Sequence, residues 1–140
     1  MSRVKIEMPD HFLFSTEIEI RINDINYANH LGNDSLLSLV QEARVRFLAS
    51  LGYNELDIEG VGIIMNDVAI IFKAEAHFGD RLRFEIAVDE ISRKSCDFFY
   101  KITVQDNRIV ALCKTGIVFY NYQLKKPVSI PDAFLLKVNR

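Results

Sequence analysis

The stretch "LLSLVQEARVRFLASLG", residues 36–52, limits what this chain can fold into more than any other. Leu36, Val40, Ala43, Phe47 and Leu51 recur at i, i+4, i+7, i+11 and i+15, which stacks them on one face of an α-helix, and Leu37 and Leu48 broaden the stripe. A helix of about 17 residues with so wide an apolar arc is not satisfied by a flat neighbour; it has to be wrapped. Asn33, Asp34 and Ser35 are all competent N-caps, and Gly52 is placed to stop the helix.

The wrapping has to come from strands. "FLFSTEIEIRI" (12–22) ends in alternation, with Ile18, Ile20 and Ile22 on one face and Glu17, Glu19 and Arg21 on the other. Four more strands, rich in Ile, Val, Phe and Tyr, are expected near 61–77, 81–91, 95–105 and 108–121, separated by the turns "HFGD", "SRKS" and "QDNR". The first of these is too long to stay flat, which predicts a bulge near Asn66 and Asp67. The tail "KKPVSIPDAF" is expected to leave the sheet, because Pro127 and Pro131 cannot sit in a central strand. Strand, long helix, then four strands in a meander describes an α+β hot-dog fold, an antiparallel five-stranded sheet wrapped around one central helix. Short connections make the last three strands neighbours.

Composition narrows the function classes. The 140 residues show no break in character, so one domain spanning 1–140 is expected. A net charge of −2 with scattered Lys and Arg argues against nucleic acid as a partner, because that affinity leans on clustered cations releasing counterions from phosphate. No apolar run reaches the roughly 20 residues of a membrane helix. "MSRVKIEMPDHF" lacks the apolar core of a signal peptide, so no membrane association and a cytoplasmic location are expected. If Asp106 and Asn107 turn a hairpin, Cys113 falls opposite Tyr100 rather than Cys96, which leaves both thiols reduced. Neither belongs to a CxxC or a Cys/His cluster, so no metal is expected.

Directly ahead of the helix, "NDINYANHLGND" (23–34) crowds carboxamides, carboxylates and one His into a segment where a cap needs only one or two such groups. Arg21, Asp24, His30 and Asn33, with "EAR" at 42–44 and the later "KAEAHFGDRLRFEIAV", resemble the acyl-CoA thioesterases of the 4-hydroxybenzoyl-CoA thioesterase-like hot-dog family. Their pattern runs Arg-x-x-Asp-x-Asp-x-x-x-His-x-Asn-Asn-x-x-Tyr, followed by Glu-Ala-Arg on the helix. The likeness covers most of the chain, with three departures: Asn26 stands at the second Asp, Gly32 at the first Asn and Leu36 at the Tyr. The second Asp is the family's usual catalytic carboxylate. Asn has no basic lone pair near neutral pH, so it can hold a water or donate to an oxyanion but can neither attack nor deprotonate.

The resemblance implies an acyl-CoA substrate, hydrolysis without metal or organic cofactor, and a homodimer or homotetramer with each site at a subunit interface. Asp24, two residues from Asn26 on the same side of an extended chain, and Glu42, on the helix where related enzymes place a carboxylate, are the two candidate bases. Glu42 and Arg46 also make an ordinary i, i+4 surface pair worth a few tenths of a kcal/mol. Asp34 reads as a cap or first-turn charge. His30 orients the loop, bonds the thioester or acts as acid, or else bonds backbone alone. Free N–H groups around Gly32, Asn33 and Asp34 at the helix start suit a developing oxyanion. Leu36, Leu37, Val40 and Met65 are the expected acyl pocket. Arg44 falls inside the apolar arc and needs a carboxylate partner, for which Asp67 is one candidate, the other reading of Asp67 being a reach into the neighbouring subunit's site. The rival reading is a non-catalytic acyl-thioester-binding protein that lost turnover with the second Asp.

Overall fold

The computed structural model describes residues 3–139. In chain order it contains β1 (Phe14–Glu19), a 3-10 turn (Ile22–Asp24), α1 (Asn33–Ser50), β2 (Gly62–Phe72), β3 (Arg81–Asp89), β4 (Ser95–Thr103), β5 (Ile109–Asn121), β6 (Lys126–Pro127) and α2 (Asp132–Val138). All strand pairs are antiparallel, in the order β1-β3-β4-β5-β2, with the two-residue β6 against the end of β5. The sheet curls around α1, which buries Leu36, Leu39, Val40, Ala43, Phe47 and Leu48 into the core. This is the hot-dog fold. Phe47 anchors the wrap, meeting Phe98 edge-on at 5.6 Å and Phe14 at 5.7 Å between ring centres. Its full burial contributes roughly 1.5–3 kcal/mol.

Several local expectations hold. Ile18 and Ile20 point inward from β1 and its end. The register of β2 against β5 shifts between Met65 and Asp67, so the bulge falls at Asn66. A Cβ at Gly116, on the facing strand, would collide with the side chains of Asn66 and Asp67, so glycine is what lets β5 pass beneath the bulge. Gly52 has φ +86° and closes α1 with paired bonds: its N–H donates to Ala49 O at 3.0 Å, and Tyr53 N–H to Leu48 O at 2.9 Å.

Other expectations are corrected. The last three strands do run as a meander, but β2 does not join them at β3; it crosses to the far side of β5 and becomes an edge strand. Alternation within a strand reports which face is buried and carries nothing about which neighbour it pairs with. The first strand ends at Glu19, short of residue 22, and Ile22 is exposed because the chain turns there into the 3-10 segment. The helix begins at Asn33 and its N-cap is Gly32, not Asn33, Asp34 or Ser35. The tail keeps a foothold in the sheet: Lys126 and Pro127 pair with Asn121 and Tyr120 beyond the end of β4, an edge position that proline tolerates. α2 then returns Phe134 onto Phe119, with ring centres 5.2 Å apart.

Tyr100 faces Cys113 across β4 and β5, as the hairpin register requires. Cys96 and Cys113 are both free and buried, and burial pushes each thiol up to about 12. Ellman's reagent is therefore expected to leave the native protein untouched near pH 8 and to titrate both thiols only after denaturation. Prompt reaction of either thiol in the native state would contradict that burial.

Arg44 finds its carboxylate in Glu55, not in Asp67. Its Nε donates to Glu55 at 3.0 Å and its Nη1 to the Tyr100 hydroxyl at 3.2 Å, and that hydroxyl shares a 2.9 Å bond with Thr115. Asp67 instead accepts from Lys114 Nζ at 2.9 Å. Among the described residues, every buried side-chain nitrogen and oxygen has a hydrogen-bond partner.

Candidate active site

The loop between β1 and α1 is shaped by its own polar groups. Asp24 is buried and closes the 3-10 turn: it accepts from the Arg21 backbone N–H at 2.8 Å and from the Arg21 guanidinium at 3.4 Å. Asn26 turns the next bend, its Oδ1 accepting from the N–H of Ala28 at 2.9 Å and of His30 at 3.3 Å. An Asx turn of this kind consumes the carboxamide oxygen and leaves the NH2 end, a donor, facing outward. Gly32 N–H donates to Asp24 O at 3.0 Å, and a Cβ there would meet only the exposed Asp34 carboxylate, at 2.9 Å from its Oδ1, which a rotation of that side chain relieves.

One backbone bond then creates the site. Leu31 N–H donates to Ala76 O at 2.8 Å, tying the loop to the segment that follows β2. The residues flanking that bond come face to face. His30 Nε2 lies 3.2 Å from Glu75 Oε2, His77 Nε2 lies 3.9 Å from the same oxygen, and the imidazoles meet edge to face at 5.3 Å. His77 is steadied from behind by Asp80, which accepts its backbone N–H at 2.9 Å and lies 3.8 Å from its Nδ1. Burial pushes the Asp80 carboxyl up, but the His77 N–H and the Gln105 amide outweigh it and hold it below its usual range.

A cleft of about 360 Å³ opens beside this cluster, lined by Asn26, His30, Asn33, Leu36, Phe72 and Glu75 among others. Asn33 and Leu36 bring the first turn of α1 to its wall. Among the described residues, the N–H groups of Asn33, Asp34 and Ser35 have no protein acceptor, and Gly32 supplies no side-chain cap. These orphan donors, backed by the helix dipole, stabilise negative charge placed on the helix axis. The Gly32 N–H is already spent on Asp24, so glycine's part here is the room it leaves.

The remaining expected site residues lie apart within the chain. Glu42 faces a different hollow of about 590 Å³ and is held at 2.9 Å by Arg46, which also donates to Thr16 Oγ1 and Glu17 O. Leu37 and Met65 line a third groove, of about 250 Å³, with Asp34, Gln41 and Arg44. Val40 is completely buried in the core. The expected acyl residues do not form one pocket in a single chain, because consecutive helical positions such as Leu36 and Leu37 point about 100° apart.

The sequence profile of the thioesterase-like superfamily matches residues 20–138, nearly the whole chain. The protein belongs to the thioesterase-like superfamily. No curated protein sequence matches it. Among solved structures, this thioesterase-like chain is similar to a 1,4-dihydroxy-2-naphthoyl-CoA thioesterase from Synechocystis, at TM-score 0.82 and 21% identity over 90% of this chain and 95% of that one. It is also similar to a DHNA-CoA thioesterase from Staphylococcus aureus, at TM-score 0.74 and 19% identity over 82% and 78%. A further Staphylococcus aureus protein, solved in complex with CoA, overlays at TM-score 0.82 and 14% identity over 96% and 86%. At these identities the likeness establishes the fold.

In this thioesterase-like protein the carboxylate that shares a cleft with Asn26 and His30 is Glu75, a residue that the sequence reading passed over, together with His77. A signal was present. In "KAEAH" the polar residues Lys73, Glu75 and His77 alternate with small apolar ones, so period-2 spacing puts them on one side of an extended chain. No helix among the described residues is long and apolar enough to cross a membrane.

Proposed function

We propose that this protein hydrolyses acyl-CoA thioesters to the free acid and CoA by water attack in the cleft between the 23–34 loop and the residues after β2. The observation that carries the reading is the convergence of His30, Glu75 and the uncapped start of α1 on one cleft in a member of the thioesterase-like superfamily. Glu75 Oε2, 3.2 Å from His30 Nε2, favours the tautomer with the proton on Nε2 and the imidazolium that forms later, which leaves the Nδ1 lone pair as the base. His30 takes a proton from water as its oxygen attacks the thioester carbonyl carbon. The carbonyl oxygen gathers charge against the N–H groups of Asn33 and Asp34. Collapse breaks the C–S bond, and the departing CoA sulfur takes the proton back from His30. Asn26, with only its NH2 end free, positions the water or donates to the oxyanion. Asp24 and Glu42 play no proton-transfer part in this scheme, because Arg21 and Arg46 hold them elsewhere.

The assembly we propose is a homodimer built on β2. Beyond Ile63, whose N–H donates to Glu55 O at 3.0 Å, this edge strand has no second strand beside it among the described residues, and it exposes Ile64, Met65, Val68 and Phe72, which a second copy of the strand would cover. Such pairing closes the Leu37–Met65 groove from across the interface and offers the acyl chain the walls that a single chain lacks. Two such dimers stacking would give the tetramer. Two buried, free thiols suit a reducing compartment, here the cytoplasm.

The test is release of free thiol from short, medium, long and aromatic acyl-CoAs by the purified protein, an assay to which buried cysteines add no background. Turnover of at least one member is expected. The second reading, an acyl-thioester binder without turnover, is favoured by one observation, that Asn26 offers a donor where the family has a carboxylate. Asn26→Asp separates the two. A site rebuilt on His30 and Glu75 loses activity or changes by less than about tenfold, whereas a decayed one gains the 10²–10⁴-fold of a restored acid-base group.

A further inference from the structure

We propose that His30, Glu75 and His77 form a binding site for a divalent transition-metal ion of the zinc class. Two imidazoles and one carboxylate are a donor set that suits such an ion, with a remaining position left to solvent. The candidate ligand atoms of these three residues all lie within 4.8 Å of one another. Donors around a tetrahedral zinc with bonds near 2.0–2.1 Å stand about 3.4 Å apart. The 3.2 Å and 3.9 Å separations from Glu75 Oε2 bracket that value, so closing the set needs only small rotations of side chains that are at least half-exposed at Glu75 and His77.

A carboxylate also stands behind His77, 3.8 Å from its Nδ1, at ion-pair rather than hydrogen-bond distance. A ligating His usually sends its other ring N–H to a carboxylate, which fixes the ring and raises its basicity. His77 offers Nε2 to the cluster while its Nδ1 faces Asp80 at 3.8 Å, and Asp80 is pinned by the His77 N–H and by Gln105 Nε2. The ligands come from two segments joined through the Leu31–Ala76 bond, so the ion would cross-link the loop to the residues following β2.

Occupation carries a consequence for the chemistry, and this part alone rests on the hydrolytic reading: a metal on His30 Nε2 forces the ring proton onto Nδ1, removing the lone pair that serves as base, and engages the Glu75 carboxylate as well. The ion and turnover therefore compete.

The first experiment titrates Co²⁺ into chelator-treated full-length protein and reads visible absorption. Expected are the intense bands of four- or five-coordinate Co²⁺, saturating at one ion per chain and displaced by Zn²⁺. His77→Ala and Glu75→Gln are expected to weaken binding at least tenfold with an unchanged melting temperature, both side chains being exposed. Asp80→Asn is expected to weaken it by about 10–100-fold. Weak six-coordinate bands alone, or binding undiminished by His77→Ala, overturns the site whether or not the protein hydrolyses thioesters. On an active protein, Zn²⁺ is expected to slow thiol release and a chelator to restore it. Zn²⁺-insensitive turnover at full occupancy overturns the competition and leaves the site.

Discussion

Alanine at position 30 is expected to lower kcat/KM for acyl-CoA hydrolysis by about 10²–10⁴-fold, the usual worth of a positioned general base. The loss should fall on kcat rather than KM, since the imidazole acts on water and the leaving sulfur and contributes little to holding the acyl-CoA. Glu75→Gln tests the arrangement more finely. Glutamine keeps the size and can still accept from His30, but it removes the charge that favours imidazolium in the transition state, so a smaller loss of about 10–100-fold is expected. His30→Ala with full activity would remove the proposed base. Equal and complete loss in Glu42→Ala, with Glu75→Gln unaffected, would return the role to the helix carboxylate and require a subunit arrangement that carries Glu42 to a neighbouring cleft.

The second large effect is on stability. Arg44→Ala should destabilise the fold by about 2–4 kcal/mol, somewhat below the usual cost of breaking a buried ion pair. Arg44 is buried and bonded to both Glu55 and Tyr100, so its loss opens a cavity and strips the Tyr100 hydroxyl of a donor. The discount has two causes: the Glu55 side chain keeps 28% exposure and rehydrates, and Tyr100 retains its bond to Thr115. For a chain of this length the change corresponds to a fall in melting temperature of roughly 6–15 °C. Arg44→Met, which keeps the stem and removes the charge, should recover part of that. Urea unfolding of Arg44→Ala within about 0.5 kcal/mol of the parent would show that the network is not holding the helix in the sheet.

How much of this was legible in the sequence divides along a physical line. The wrapped helix, the inward Ile18 and Ile20, the bulge at Asn66 and the facing of Tyr100 by Cys113 follow from periodicity and turn length, which act between residues close in sequence. The crossing of β2 to the outside of β5 was not legible, since hydrophobic alternation is the same whichever neighbour a strand finds. The helix cap was placed one to three residues late, at Asn33, Asp34 or Ser35, in favour of side chains with good capping chemistry. Gly32 is the cap because the backbone is still extended there and turns helical at Asn33, a boundary that side-chain capping chemistry does not report. Leu39 was missed because the stripe was drawn through Leu36, Val40 and Ala43, and the wrapped helix buries a wider arc than one row. At the site, the 23–34 loop stood out by composition, while Glu75 and His77 did not, because their meeting with His30 depends on a contact between distant segments.

That contact, the single bond from Leu31 N–H to Ala76 O, makes the cleft a property of the whole tertiary structure and of no local segment. Closing a loop of that length costs entropy, which is repaid only with the sheet and helix docked. Mass action then runs in the other direction. Any molecule that grips both banks of the cleft, thioester or ion, draws the folding equilibrium toward the native state by RT ln(1 + [L]/Kd), about 2.7 kcal/mol at a hundredfold excess over Kd. A rise in melting temperature therefore reports occupancy directly, without any turnover, and a library of thioesters and cations can be ranked on the intact protein by heat alone.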